Sequence, residues 1–175
     1  MRTDDRMERE EERQIVTTRV IGGPRHLVYR AWTEARHLAR WFGPHGFSIT
    51  TRAFDFRPGG AWDFVMRGPD GTEYPNWIEW REIVPLERIA YRQGGRENDP
   101  DAFQGTVTFA EREGGTEIIL RTVFNSRAQR DYVAEHYQAV EGARETLERL
   151  AGYVCELEAS ESSRSLEGAA DAARH

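Results

Sequence analysis

Lysine is missing from the 175-residue chain: all 24 of its basic residues are arginine. That absence excludes Schiff-base and pyridoxal-phosphate catalysis and the phosphate-loop lysine of nucleotide-binding enzymes, each of which needs an ε-amino group. Cysteine is nearly missing too. With Cys155 alone, neither a disulfide framework nor a cysteine-based zinc site can form within the chain. No apolar run approaches the ~18 residues of a membrane span. The amino-terminal MRTDDRMEREEERQ lacks the apolar segment of a secretory signal, so the cytoplasm is the expected location. A net charge of −6 argues against a nucleic-acid partner, which needs a basic face to displace counterions.

Several catalytic patterns are absent as well. The five histidines are His26, His37, His45, His136 and His175; none of the first four has a partner at the i, i+4 spacing of a helical zinc motif, so no metal or cofactor is expected. His45, in a Gly-Pro-His-Gly turn, is weighed as a general base against the commoner solvated turn histidine. No Gly-x-Ser-x-Gly elbow occurs, and Gly22-Gly23 lacks the spacing of a dinucleotide loop. Glu79 and Glu82, three apart on one strand, should face opposite sides and so cannot act as an acid/base pair. Asp55 beside Arg57 reads as turn chemistry, and Cys155 beside Val154 as a small packing residue.

What is present is period. Gln14–Ile21 is rich in β-branched residues and stops at Gly22-Gly23-Pro24, a strand followed by a turn. Leu27, Val28, Ala31 and Trp32 then fall at helical spacing. Thr33 suits the N-cap of a second short helix bearing Leu38, Trp41 and Phe42 and ended by Gly43-Pro44. From there the period becomes two. Strands are expected at 47–56, 61–67, 73–84, 88–93, 103–110 and 116–124, joined by turns such as Arg57-Pro58-Gly59-Gly60 and Pro69-Asp70-Gly71. From Arg127 to Leu157 there is no proline, and Val133, Tyr137, Val140, Leu147, Leu150, Ala151 and Val154 form one apolar stripe. This is expected to be a single helix of about 45 Å, with Ser126 and Gln129 as its capping box. Residues 1–13 and 158–175 are too polar to bury a core and are expected to be disordered tails. The domain is thus expected at 14–157, an α+β fold in the order strand, two helices, six strands, helix.

That order and its motifs resemble the helix-grip fold of the START and birch-pollen-allergen superfamily. Within it, the chain resembles relatives of the carboxy-terminal domain of the activator of the 90-kDa heat-shock-protein ATPase. The segments that carry the likeness are Ala31-Trp32-Thr33, Leu38–Pro44, Asp55–Gly60, Met66–Tyr74, Glu82–Pro85, Val140-Glu141-Gly142 and Thr146–Leu150. The resemblance implies a curved antiparallel sheet gripping the last helix around a cavity, and superfamily relatives that bind lipids, hormones or polyketides. The eukaryotic activator owes its chaperone work partly to a second, amino-terminal domain for which these residues have no room, so a chaperone partner is not expected.

Strand alternation puts Trp62, Phe64 and Met66 on one face and Ile78 and Trp80 on one face of the next strand. With Tyr137, Val140 and Arg144 on the helix and Trp41 and Phe42 at one mouth, these ten residues are the expected ligand-binding set. The same rings could instead simply fill a core. Arg144 could meet a ligand carboxylate bidentately or lay its stem on the sheet with its head in water. Three functions follow: a binder of a small apolar or aromatic molecule, an enzyme of polyketide cyclase, aromatase or hydrolase type using the same cavity, or a chaperone-associated or self-associating interaction module. A homodimer could form through an open sheet edge.

Overall fold

The computed structural model describes residues 9–172. A 3-10 turn at Glu10–Arg13 leads into β1 (Gln14–Ile21), α1 (Arg25–Thr33) and α2 (Ala35–Trp41), then β2 (Ser48–Phe54), β3 (Ala61–Arg67), β4 (Glu73–Val84), β5 (Arg88–Gly94), β6 (Phe103–Arg112) and β7 (Gly115–Val123), and finally α3 (Arg127–His136) and α4 (Ala139–Ala172). The seven strands form one antiparallel sheet in the order β1-β7-β6-β5-β4-β3-β2, leaving β1 and β2 as its edges. The architecture is the α+β helix-grip fold, a curved sheet closed on one face by a long carboxy-terminal helix. No described helix is long and apolar enough to cross a membrane.

Alternation decides which residues face that helix. Ile21, Ile118, Phe109, Ile89, Trp80, Ile78, Trp62 and Phe64 all point inward and are buried, meeting Leu27, Val28, Trp32, Leu38 and Trp41 from α1 and α2 and Leu147, Leu150 and Val154 from α4. At ~25 cal/mol per Å² of apolar surface removed from water, these large side chains supply the main drive for folding.

Four local expectations need correction. The stretch 127–157 is two helices rather than one: Tyr137 closes α3 by donating its backbone N–H to the Val133 carbonyl, and Gln138 turns the chain with φ +49°. A non-glycine residue in the left-handed region is uncommon, so no glycine or proline announced this break. Thr33 ends α1 rather than capping α2; its hydroxyl donates to the Arg30 carbonyl, and Glu34 is the N-cap. In β4 the register shifts between Trp80 and Glu82, and this bulge restores Glu82 to the side of Glu79. Both lie opposite outward-facing residues of β5, Ala90 and Arg92, and pair separately with Arg88 and Arg81. Cys155 is exposed, not packed.

The tail expectation falls partly on residues 1–8 and 173–175, outside those described. Within them, Glu10–Arg13 form the 3-10 turn and residues 158–172 continue α4, an Ala- and Glu-rich, proline-free extension tethered by a 2.6 Å ion pair between Arg30 and Glu161.

Candidate functional site

The two ends of the inner sheet face differ because α4 changes the size of what it presents. From its third turn onward it lowers Leu147, Leu150 and Val154 into the core, all fully buried. Over its first two turns the residues facing the sheet are Ala139, Gly142, Ala143 and Thr146. Small side chains on the helix leave unfilled the volume that leucines fill farther along. The result is a cavity of about 580 Å³ between α4 and the sheet, walled on one side by Gln129, Val133 and Tyr137 of α3 and its carboxy-terminal cap.

The walls are mostly apolar: Ile15, Phe42, Met66, Phe103, Leu120 and Phe124 from the sheet and the α2–β2 connection. Exposed Tyr74, Gly95, Asp101 and Tyr137 mark the mouth. Polar groups on the sheet floor are few. Gln93 Nε2 donates to Asn76 Oδ1 at 2.9 Å, and Asn76 Nδ2 donates to the Tyr74 carbonyl at 3.0 Å. Tyr91, only 5% exposed, lies in register with Gly105, which lies in register with Thr122. A Cβ at position 105 would overlap the Tyr91 ring, so the glycine is what lets that ring lie across β6. Burial pushes the Tyr91 phenol well above the ordinary tyrosine range. Among the described residues its hydroxyl has no hydrogen-bond partner.

The charged residues of the lining are both acids, Asp99 and Asp101, in the β5–β6 loop. Asp99 accepts backbone N–H bonds from Gly95 at 2.8 Å and Asp101 at 2.9 Å, and these hold its carboxyl below the usual range. No histidine lines the cavity. Among the described residues no group of three His, Cys, Asp or Glu side chains could hold a metal ion. The mouth is braced from outside by Arg149, whose guanidinium donates to the carbonyls of Gly43 (2.9 Å), Pro44 (3.0 Å) and Arg40 (3.3 Å). Gly43 must be glycine here: its φ is +109°, and a Cβ would meet the Met66 methyl at 2.5 Å.

The ten residues expected from sequence divide into three groups. Phe42, Met66 and Tyr137 line the cavity. Trp41, Trp62, Phe64, Ile78 and Trp80 face the right way but are buried in a filled core at the other end of the sheet. There Trp62 stacks on Phe64 with centroids 3.8 Å apart, while Trp32 meets Trp41 and Phe42 meets Trp62 edge to face at 4.8 and 5.2 Å. Two of the indoles also spend their N–H inside the core, Trp41 Nε1 donating to the Ala31 carbonyl and Trp62 Nε1 to Thr51 Oγ1, whereas Trp80 Nε1 is buried without a partner among the described residues. Val140 and Arg144 point away from the cavity. Val140 is 53% exposed, and Arg144 pairs on the surface with Glu141 and Glu148, one turn away on either side. His45 is exposed, 3.7 Å from Glu148, and Asp55 binds Arg57 at 2.6 Å as turn chemistry.

Sequence reasoning missed Tyr91, Gln93 and the small residues of α4. An isolated glycine inside a strand, Gly105, was the available signal for a close approach. A second concavity, about 560 Å³, lies at the opposite end of the sheet; it is more open, and Arg25, Glu111, Arg112 and Glu158 make its wall more polar than that of the first.

The model of the family described as Activator of Hsp90 ATPase homolog 1-like protein matches residues 23–155. A solved protein from Nitrosomonas europaea is 27% identical, with a TM-score of 0.76 over 85% of this chain and 97% of its own. One from Chromobacterium violaceum is 26% identical, with a TM-score of 0.70 over 81% and 96%. One from Arthrobacter aurescens, 24% identical with a TM-score of 0.76 over 85% and 90%, shares the fold. No curated protein matches significantly.

Proposed function

Taking as premise that the chain belongs to the Activator of Hsp90 ATPase homolog 1-like family, we propose that it binds a small apolar or aromatic molecule in the cavity between the sheet and the first turns of α4. One observation carries this reading: a space of about 580 Å³ whose walls are apolar side chains and whose floor holds a few converging polar groups. Ligand sites have this composition and run to roughly 300–1,000 Å³. Removing ligand surface from water at ~25 cal/mol per Å² supplies the drive, and Tyr91, Gln93 and Asn76 supply orientation. The site is displaced from the tryptophan-rich region expected from sequence, and Phe42 is the wall the two regions share.

An enzyme of cyclase or hydrolase type needs a titratable group poised inside. The lining offers Asp99, committed to two backbone amides, and Asp101 at the mouth, and nothing in this arrangement favours turnover over binding. Native mass spectrometry of the protein purified under mild conditions tests the reading. A reproducible co-purifying small molecule, displaced by an added aromatic compound, is the expected result. Apo protein in every preparation, together with no uptake of added aromatic compounds, would overturn it.

A further inference from the structure

The reading that the cavity binds an apolar or aromatic molecule leaves its chemical class open, and the floor narrows that class. Resting on that reading, we propose that the ligand is neutral and carries a hydrogen-bond acceptor, a ketone, ester or ether oxygen, that meets the hydroxyl of Tyr91.

Three features converge. Tyr91 is almost wholly buried, and its hydroxyl faces the cavity without a partner among the described residues. The residue lines the cavity and its hydroxyl donates to no protein group, so that hydroxyl is free to donate to an acceptor on a ligand. The second feature is how the ring is held. Trp80 meets it edge to face with centroids 6.1 Å apart, and on β6 a Cβ at position 105 would lie 2.6 Å from its hydroxyl oxygen. Glycine inside a strand weakens it, and here that cost admits one hydroxyl to the floor. Because burial raises the phenol, the group stays protonated and donates.

The third feature is charge. No arginine or histidine lines the cavity, and its charged residues are Asp99 and Asp101 near the mouth. A carboxylate brought to the floor would lose its hydration with no cation to meet it. Arg144, the arginine that the helix sequence offers for an anion, is on the outer surface bound to Glu141 and Glu148.

The test is a set of equilibrium titrations with three probes of one shape, followed by protein NMR: 2-acetylnaphthalene, 2-ethylnaphthalene and 2-naphthoate. The wild-type protein should bind the ketone about tenfold more tightly than the hydrocarbon, the effect of one good neutral hydrogen bond, and the naphthoate most weakly. Tyr91→Phe should bring ketone and hydrocarbon to within about twofold of each other. Gly105→Ala, which keeps the tyrosine and displaces its hydroxyl, should do the same. Equal wild-type affinities for ketone and hydrocarbon, tightest binding of naphthoate, or a ketone preference surviving in Tyr91→Phe would overturn the inference with the cavity reading intact. Failure of all three probes to bind would overturn both. If neither variant folds, the wild-type series decides alone.

Discussion

Replacing Ala143 with leucine asks whether the space under α4 is hollow. Ala143 faces the sheet from the second turn of α4, yet it is only partly buried because its neighbour is the cavity. Leucine adds about three carbons there, an upper bound of ~2.4 kcal/mol at ~0.8 kcal/mol per buried CH₂. Fixing the longer side chain costs ~0.5–1 kcal/mol, and the open mouth leaves part of it wet, so the net stabilisation should be about 1 kcal/mol. For a domain of this size that raises Tm by roughly 2–4 °C. In a filled core the same change would overpack and cost ~1–3 kcal/mol, so the sign of the effect separates the two cases. Thermal and urea denaturation of wild type and Ala143→Leu, with Leu147→Ala as the filled-end control expected to lose ~2–5 kcal/mol, is the assay. The leucine variant should also bind 2-acetylnaphthalene less well. A lower Tm for Ala143→Leu, with unchanged ligand binding, would refute the idea that this part of the interior is empty.

Further outcomes follow from the surroundings of the cavity. Arg149→Gln should lower stability by roughly 1–2 kcal/mol, since charge-assisted bonds to the Gly43, Pro44 and Arg40 carbonyls are lost; a midpoint unchanged in urea would show the clamp to be idle. Arg144→Leu should leave affinity for both neutral and anionic probes unaltered, because Arg144 is engaged on the surface; a selective loss of naphthoate binding would return it to the site. His37 gives a pH signature. It is 93% buried by its 7% exposure, shares a 2.5 Å hydrogen bond with Tyr153, and faces Glu34, Arg36, Arg30 and Glu161, with burial outweighing Glu34 so that its pKa falls below the ordinary value. The unfolded imidazole then takes up a proton near pH ~6.5 while the folded one resists. Its contribution is present above that pH and is lost as pH falls toward the folded value. Between pH 7 and 5 the wild-type Tm should drop more than that of His37→Gln, and parallel profiles would contradict this.

Much of this architecture was legible in period alone. β3 and β4 occupy the residues their alternation marks, and Trp62, Phe64, Met66, Ile78 and Trp80 share the inner face as alternation requires. What alternation could not distinguish was a ring that packs from a ring that lines a void, because both face inward. That difference is made by the opposing helix, through Ala139, Gly142, Ala143 and Thr146 rather than through anything in the strands. Glu79 and Glu82 were misplaced because a bulge changes the parity of a strand without changing its composition. The break at Gln138 was hidden because a glutamine, not a glycine, takes the left-handed turn. Arg144 was readable in principle, since Glu141 and Glu148 stand three before it and four after it, where helical neighbours form ion pairs.

The central claim is that a neutral aromatic guest enters between the sheet and the first turns of α4. Intermolecular NOEs from saturating 2-acetylnaphthalene to the assigned methyl and ring protons test it most directly. The account expects contacts to Phe42, Leu120 and Ala143, with the acetyl methyl near Tyr91. Contacts confined to the concavity at Arg25 and Leu86, or no contacts at saturation, would contradict it.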